Sequence, residues 1–311
     1  MGDYAITADD IMQAARRIAP HILRTPCVPA RRLSQLTGAT LFVKHENMQA
    51  TGSFKERGAA NKLETMAPEE RRRGVVAMSA GNHAQAVAYH ARRLGIPATI
   101  LMPVTTPLVK VENTRGHGAR VVLHGETLVE SAERARAMAQ EEGLVFVHPY
   151  DDPAVMAGQG TIAEEILSDI DDLDTLVVPI GGGGLISGIA VAAKALRPQI
   201  EIVGVEASLY PSFQNALDGQ ERPIGGATLA EGIAVKTVGT MPLPIVRDLV
   251  SRIVLVDETA IERAVAAYAT YQHSMAEGAG AAGLAALFAE PDAFRGKRIG
   301  LVLCGGNIDA R

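Results

Sequence analysis

The chain has no tryptophan, and only 4% of its residues are aromatic, so its core must be mainly aliphatic. It has two cysteines, Cys27 and Cys304, far apart and in no metal-ligand spacing. That argues against a disulfide framework or a cysteine-built zinc site and fits a reducing cytoplasm. An excess of positive charge is also missing. Lys and Arg total 30 against 35 Asp and Glu, a net charge of −5, which argues against nucleic-acid binding. The one basic run, Arg71-Arg72-Arg73, reads as a solvated helix end. There is no long hydrophobic run. The most apolar segment, 176–193, contains Pro179 and five glycines, and it reads as strand, turn and helix rather than a membrane span. Met1-Gly2-Asp3-Tyr4 shows no basic, apolar leader.

What the chain does have is length and rhythm. Its 311 residues suffice for two domains of ordinary size. Thr7 and Asp10 open a helix over 8–18, with an apolar stripe at Ile11, Ala14, Ala15 and Ile18. An extended segment starts at Arg24-Thr25-Pro26, a short helix fills 31–37 before Gly38, and 41–46 alternates like a strand. Strands are then predicted at 75–79, 98–102, 119–123 and 145–147, and helices at 82–94, 107–115 and 127–142. The alternation continues with strands at 176–178, 202–206, 253–256 and 299–303. Helices fall at 154–167, 185–196, 212–217, 259–272 and 278–289, and 219–246 reads as loop-rich. Strands alternating with helices of this length predict βαβ units, that is, an α/β fold of mainly parallel sheets covered by helices.

Four strand–turn junctions carry candidate chemistry. The first is Thr51-Gly52-Ser53-Phe54-Lys55-Glu56-Arg57-Gly58-Ala59, where a lysine opens a helix behind a strand. Ser53 and Glu56 also have capping-box spacing, the purely structural alternative. A lysine at such a junction can point into a cleft, where desolvation or a nearby positive charge makes it a usable amine nucleophile. The obvious use of that amine is a Schiff base with pyridoxal phosphate. The second junction, Pro179-Ile180-Gly181-Gly182-Gly183-Gly184-Leu185, can fold its backbone N–H groups round an anion at a helix N-terminus. The dinucleotide pattern fails here, since its third glycine falls on Ile186 or Ser187. The nucleotide-hydrolase loop fails as well, since Ile189 follows Gly188. The third junction, Ser79-Ala80-Gly81-Asn82-His83-Ala84-Gln85, suits a carboxylate, with His83 better read as structural than as a base. The fourth, Cys304-Gly305-Gly306-Asn307, ends the last strand. Ligands of open α/β sheets sit at the carboxyl ends of strands, and all four junctions are at such ends, which predicts one cleft.

Together, and in this order along nearly the whole chain, the four motifs resemble those of the threonine dehydratases. These are pyridoxal-phosphate enzymes of the tryptophan-synthase-β-like group, fold type II. The resemblance implies two lobes, a small one over 53–149 and a large cofactor-binding one from 1–52 plus 150–311. It implies that Lys55 forms the Schiff base, Phe54 packs on the cofactor ring and Asn82 bonds its phenolic oxygen. Gly181, Gly182, Gly183, Gly184 and Leu185 would hold the phosphate, with Cys304 beside the pyridine nitrogen. A neutral thiol there, in place of an aspartate, would not keep that nitrogen protonated. The substrate carboxylate would rest on Ser79, Ala80, Gly81, Asn82 and His83. Lys55 would then remove the Cα proton, and the β-hydroxyl would leave, protonated by the cofactor phosphate. The implied reaction turns L-threonine into 2-oxobutanoate and ammonia, or L-serine into pyruvate.

Serine racemases share the motifs. Racemisation needs a second acid/base on the opposite substrate face, where those relatives place a serine and this chain has Ala80. The racemase-type metal site is equally doubtful. Glu206 matches its first carboxylate, but the residues that follow supply no second one. Other 3-hydroxyamino acids remain candidate substrates, while a β-replacement synthase or a non-catalytic ligand-binding protein fits less well. The resemblance further implies a cytoplasmic homodimer or homotetramer acting on a small amino acid, with no nucleic acid or membrane partner. Members usually continue past the last motif with a closing helix and often a regulatory domain. This sequence stops at Arg311, so feedback or nucleotide activation is left open.

Overall fold

A computed structural model describes residues 4–308; Met1–Asp3 and Asp309–Arg311 lie outside the described residues. The strands are β1 (Cys27–Pro29), β2 (Thr40–His45), β3 (Val75–Met78), β4 (Ala98–Met102), β5 (Arg120–Leu123), β6 (Val145–Phe146), β7 (Thr175–Pro179), β8 (Glu201–Ala207), β9 (Arg252–Val256) and β10 (Arg298–Leu303). They form a six-stranded sheet ordered β1-β2-β10-β7-β8-β9 and a four-stranded sheet ordered β5-β4-β3-β6. Every pairing is parallel except that of β1 with β2.

The alternation of side chains assigns each strand of the large sheet to two cores at once. Leu41, Val43, Val177, Val203, Val205, Leu301 and Leu303 face one side, against the helix Gly278–Ala289. Phe42, Leu176, Val178, Ile202 and Val302 face the other, against the helices Ala8–Ile18, Pro153–Asp169 and Gly184–Leu196. This is the pattern of a parallel sheet covered on both faces. It explains why β2 is buried along five of its six residues although its sequence reads as half polar. Lys44, on the Phe42 face, is fully buried and ion-paired to Glu165.

Several helices match their signals. Thr7 accepts from the Asp10 N–H while Asp10 accepts from the Thr7 N–H, a complete capping box. The left-handed Gly38, Gly95 and Gly143 close their helices. The helices Pro242–Leu249 and Pro291–Phe294 were not anticipated, and of Pro68–Arg73 only the basic end was; all three open on proline, which reads as a breaker but is tolerated in a first turn, where its missing N–H costs nothing. The helix expected over 259–272 keeps α geometry only from Glu258 to Ala267. It then widens into a π turn over Tyr268–Gln272 and ends at His273 with φ +52.

The topology also places the site. β2, β10 and β7 are consecutive, parallel neighbours, so their carboxyl ends lie side by side. Those ends lead into the lysine turn, the Cys304 motif and the four-glycine loop. The remaining motif, which starts at Ser79, follows β3 in the other sheet.

Candidate active site

The lysine turn is stitched to the last motif by backbone bonds. Phe54 N donates to Cys304 O at 2.9 Å, Gly306 N donates to Gly52 O at 3.0 Å, and Ser53 bridges Gly305. The capping-box alternative is not realised. Phe54 is the N-cap of the helix Lys55–Glu64 and makes no side-chain cap, and Glu56 instead accepts the Thr51 N–H. Lys55 is thereby set at the first helical position with Nζ donating to Pro149 O at 2.7 Å and lying 5.2 Å from the Phe54 ring centre. Burial lowers its pKa to about 8, against the opposing pull of Cys304 and Glu277. A lysine so placed has a usable neutral fraction near neutral pH.

Behind it the helix is locked by a buried charge cluster. Arg57 donates to Glu46 Oε2 at 2.8 Å and Oε1 at 2.7 Å, and to Glu165 Oε1 at 2.7 Å and Oε2 at 2.8 Å. Lys44 donates to Thr25 O at 2.6 Å and pairs with the same Glu165. Two cations thus meet two carboxylates. Burial alone would raise the Glu46 carboxyl, but Arg57 holds it below its usual value.

The glycine loop is shaped by what crowds it. A Cβ on Gly182 would lie 2.2 Å from the Tyr150 ring, and one on Gly184 2.8 Å from Tyr150 O. Gly183 has φ +97, and a Cβ there would sit 2.4 Å from Phe213. Only glycines fit, and the first-turn N–H groups of the helix Gly184–Leu196 have no partner within it. The same Tyr150 follows Pro149, so one short segment connects the lysine to the anion loop. The chain reverses there through His148, whose Nδ1 accepts the Asp151 N–H at 2.8 Å.

From the other sheet, Asn82 opens the helix Asn82–Leu94. Its Nδ2 donates to Glu277 Oε1 at 2.6 Å, and its Oδ1 accepts from Asn307 Nδ2 at 2.8 Å. Ser79 Oγ accepts the Gly81 N–H at 3.1 Å, folding the turn, and Ala80 is half-buried within it. His83 points elsewhere. It is buried, its Nε2 lies 3.0 Å from Val147 O, and desolvation lowers its pKa to about 3, so its ring is a neutral structural group. Cys304 is buried with Sγ donating to Ala279 O at 3.5 Å; burial, then Glu277, push its pKa up and keep it a thiol.

All four motifs therefore meet. Glu206 does not join them. It accepts the N–H groups of Phe213 and Gln214 at 2.8 and 3.0 Å, capping the helix Ser212–Asp218. Burial raises its pKa to about 7. Among the described residues no three His, Cys, Asp or Glu side chains are grouped to hold a metal. Sequence reasoning missed Glu277, which precedes a glycine- and alanine-rich helix and carries no motif of its own. It also missed Tyr150 and the Pro149 carbonyl, which only packing reveals.

A lysine amine with lowered pKa, a glycine loop at a helix N-terminus and a neutral thiol, set at the carboxyl ends of parallel strands, are what a lysine nucleophile acting on a phosphate-bearing ligand would need. Comparison with known proteins specifies the group. The family model for pyridoxal-phosphate dependent enzymes matches residues 18–305. An L-threonine ammonia-lyase of Thermotoga maritima is 46% identical over 98% of this chain and 76% of its own length. The solved T.th. threonine deaminase superposes with a TM-score of 0.92 at 37% identity, over 98% of this chain and 99% of that one. Maize serine racemase gives 0.93 at 37% identity, over 98% and 95%. The chain belongs to the pyridoxal-phosphate dependent enzyme family, and pyridoxal phosphate is its cofactor. The residues present fit that group: an amine for its aldehyde, crowded glycines for its phosphate, and an uncharged thiol for its ring nitrogen.

Proposed function

We propose that the chain is a threonine ammonia-lyase, converting L-threonine to 2-oxobutanoate and ammonia, and L-serine to pyruvate. The observation that carries this reading is the desolvated Lys55 amine, held at the meeting point of the four motifs. The similarity to threonine ammonia-lyases over 98% of the chain supports the substrate. Bound pyridoxal phosphate supplies the electron sink that lets the substrate Cα proton leave. The chain's own groups do the rest. Lys55 Nζ would hold the cofactor's aldehyde carbon, and its lowered pKa suits the same amine to act as general base towards the substrate Cα proton. Gly181 to Leu185 would hold the phosphate with backbone N–H groups, and Phe54 would pack on the ring. Asn82 Nδ2 would offer its second hydrogen to the ring's phenolic oxygen. The turn from Ser79 to His83 receives the substrate carboxylate at the helix N-terminus through its backbone; the His83 ring takes no part. Cys304, a buried neutral thiol, would lie beside the ring nitrogen without keeping it protonated, which would favour elimination over a long-lived carbanion.

In this reading residues 53–149 work as a small lobe and 1–52 with 150–311 as a large one. The four-stranded sheet lies wholly within the first range, and the six-stranded sheet within the second. The protein acts as a cytoplasmic homo-oligomer, with both cysteines free in accord with a reducing compartment. Among the described residues no helix is long and apolar enough to cross a membrane.

Serine racemase is the second reading, favoured by the maize structure's close superposition. Ala80 weighs against it, because a methyl group exchanges no proton. The deciding experiment incubates the cofactor-loaded protein with L-threonine and with L-serine, following keto acid, D-amino acid and the visible band together. Keto acid from threonine supports the lyase. D-serine as the main product supports the racemase, and no change in the band refutes both.

A further inference from the structure

Asn307 belongs to the last motif, yet none of the roles above requires its side chain. Its amide nitrogen donates twice, to Thr51 O at 2.8 Å and to Asn82 Oδ1 at 2.8 Å. These two contacts fix orientations one after another. A backbone carbonyl only accepts, so Asn307 must turn its nitrogen towards Thr51. The second hydrogen on that nitrogen meets Asn82, which must answer with its oxygen. On its other side Asn82 Nδ2 donates to Glu277 Oε1 at 2.6 Å, and a carboxylate only accepts, so Glu277 and Asn307 demand the same orientation from opposite ends of the amide. A side-chain amide whose two ends are nearly equal in shape is thus given one orientation.

The anchor of this relay is itself fixed. The Thr51 N–H is bound by the buried Glu56 carboxylate, so the residue is held at its nitrogen and at its oxygen. Gly52 makes room for Asn307. Its φ is +72, and a Cβ there would lie 2.6 Å from Asn307 Oδ1. The Thr51-Gly52 of the first motif and the Gly306-Asn307 of the last are therefore one device, assembled across 256 residues.

We propose that Asn307 is a positioning residue that sets the Asn82 amide with its donor end towards the cofactor. The proposal rests on the reading that Asn82 borders the cofactor. Asn307 is exposed, so water can replace it, and the expected effect is that of one net hydrogen bond.

The test compares Asn307→Ala, Asn307→Asp, Asn82→Ala and the double variant Asn307→Ala/Asn82→Ala. Three quantities are read: the visible band of bound pyridoxal phosphate, its dissociation constant, and, in the apoprotein, hydrogen exchange of the Asn82 side-chain amide by NMR. Asn307→Ala is expected to weaken cofactor binding about fivefold. It should move the band in the same direction as Asn82→Ala, add nothing in the Asn82→Ala background, and speed exchange of the Asn82 amide. Asn307→Asp, which cannot donate to Thr51, should do at least as much. Unchanged exchange in both variants overturns the proposal, as does an undiminished Asn307 effect once Asn82 is gone. If exchange accelerates while Asn82→Ala leaves band and affinity unaltered, the relay exists but serves no cofactor contact. The proposal then falls with the reading of Asn82 beneath it.

Discussion

Replacing Arg57 with methionine tests whether the lysine helix is held by charge. Arg57 is fully buried and is bonded to both carboxylates of the cluster, while Lys44 pairs with Glu165. Methionine fills similar volume but leaves Glu46 with no cation bonded to it. Breaking a buried pair by removing one partner costs about 3–5 kcal/mol, because the remaining charge is stranded. Against a total stability of about 5–15 kcal/mol, the variant should still fold, with a melting temperature lower by roughly 10 °C. The pH dependence gives the sharper test. In the native protein the Glu46 carboxyl is held below its ordinary value, so its stabilisation is present above that value and fades as pH falls through the lowered one. In Arg57→Met desolvation should outweigh what the Thr25 hydrogen bond and the Lys44 charge still supply, and the carboxyl rises. The penalty should therefore be largest at neutral pH and shrink as pH falls towards the ordinary carboxyl value of about 4.5, where Glu46 can bury itself neutral. Calorimetric melting of both apoproteins across that range measures it. A loss below about 1 kcal/mol at pH 7, or one that does not shrink in acid, would refute the argument.

Three more predictions follow from the site. With the Lys55 pKa lowered to about 8, the rate at which apoprotein takes up pyridoxal phosphate should rise with pH through that value, as the neutral amine appears. A flat profile would show that the amine is not rate-determining. Gly182→Ala drives a methyl group into the Tyr150 ring and should cost about 1–3 kcal/mol of stability together with cofactor affinity; unchanged affinity would mean that the loop is not the phosphate cradle. Ala80→Ser should raise D-serine formation relative to pyruvate, and an unchanged ratio of the two products would show that a hydroxyl at this turn is not sufficient for racemisation.

Much of this was legible in the sequence because it is local. The helices Ala8–Ile18, Asn82–Leu94 and Gly278–Ala289 span the expected residues, the first opened by its capping box and the second closed by the left-handed Gly95. The four motifs could be read as one site because carboxyl ends of parallel strands share a rim. What could not be read depends on partners distant in sequence. Ser53 and Glu56 have the spacing of a cap, but Glu56 is drawn to the Thr51 N–H and lies 3.5 Å from His90 Nε2. Lys44 looked like the polar half of an alternating strand until Glu165, 121 residues away, supplied its counter-charge. Glu277 enters because its backbone N–H donates to Gly305 O while its carboxylate accepts from Asn82, partners 28 and 195 residues away.

The strand order has a consequence for how the protein is made. β10 lies between β2 and β7, although it is the last of the ten strands to leave the ribosome. Until it arrives, the growing chain has a gap at the centre of its large sheet, with two buried strands presenting unpaired edges. Neither the lysine turn nor the Asn82 amide has its support. Cofactor capture is therefore expected only after β10 has joined the sheet. Such late, long-range closure is slow and leaves sticky intermediates, which makes the interval before the last strand inserts the period of greatest exposure to aggregation.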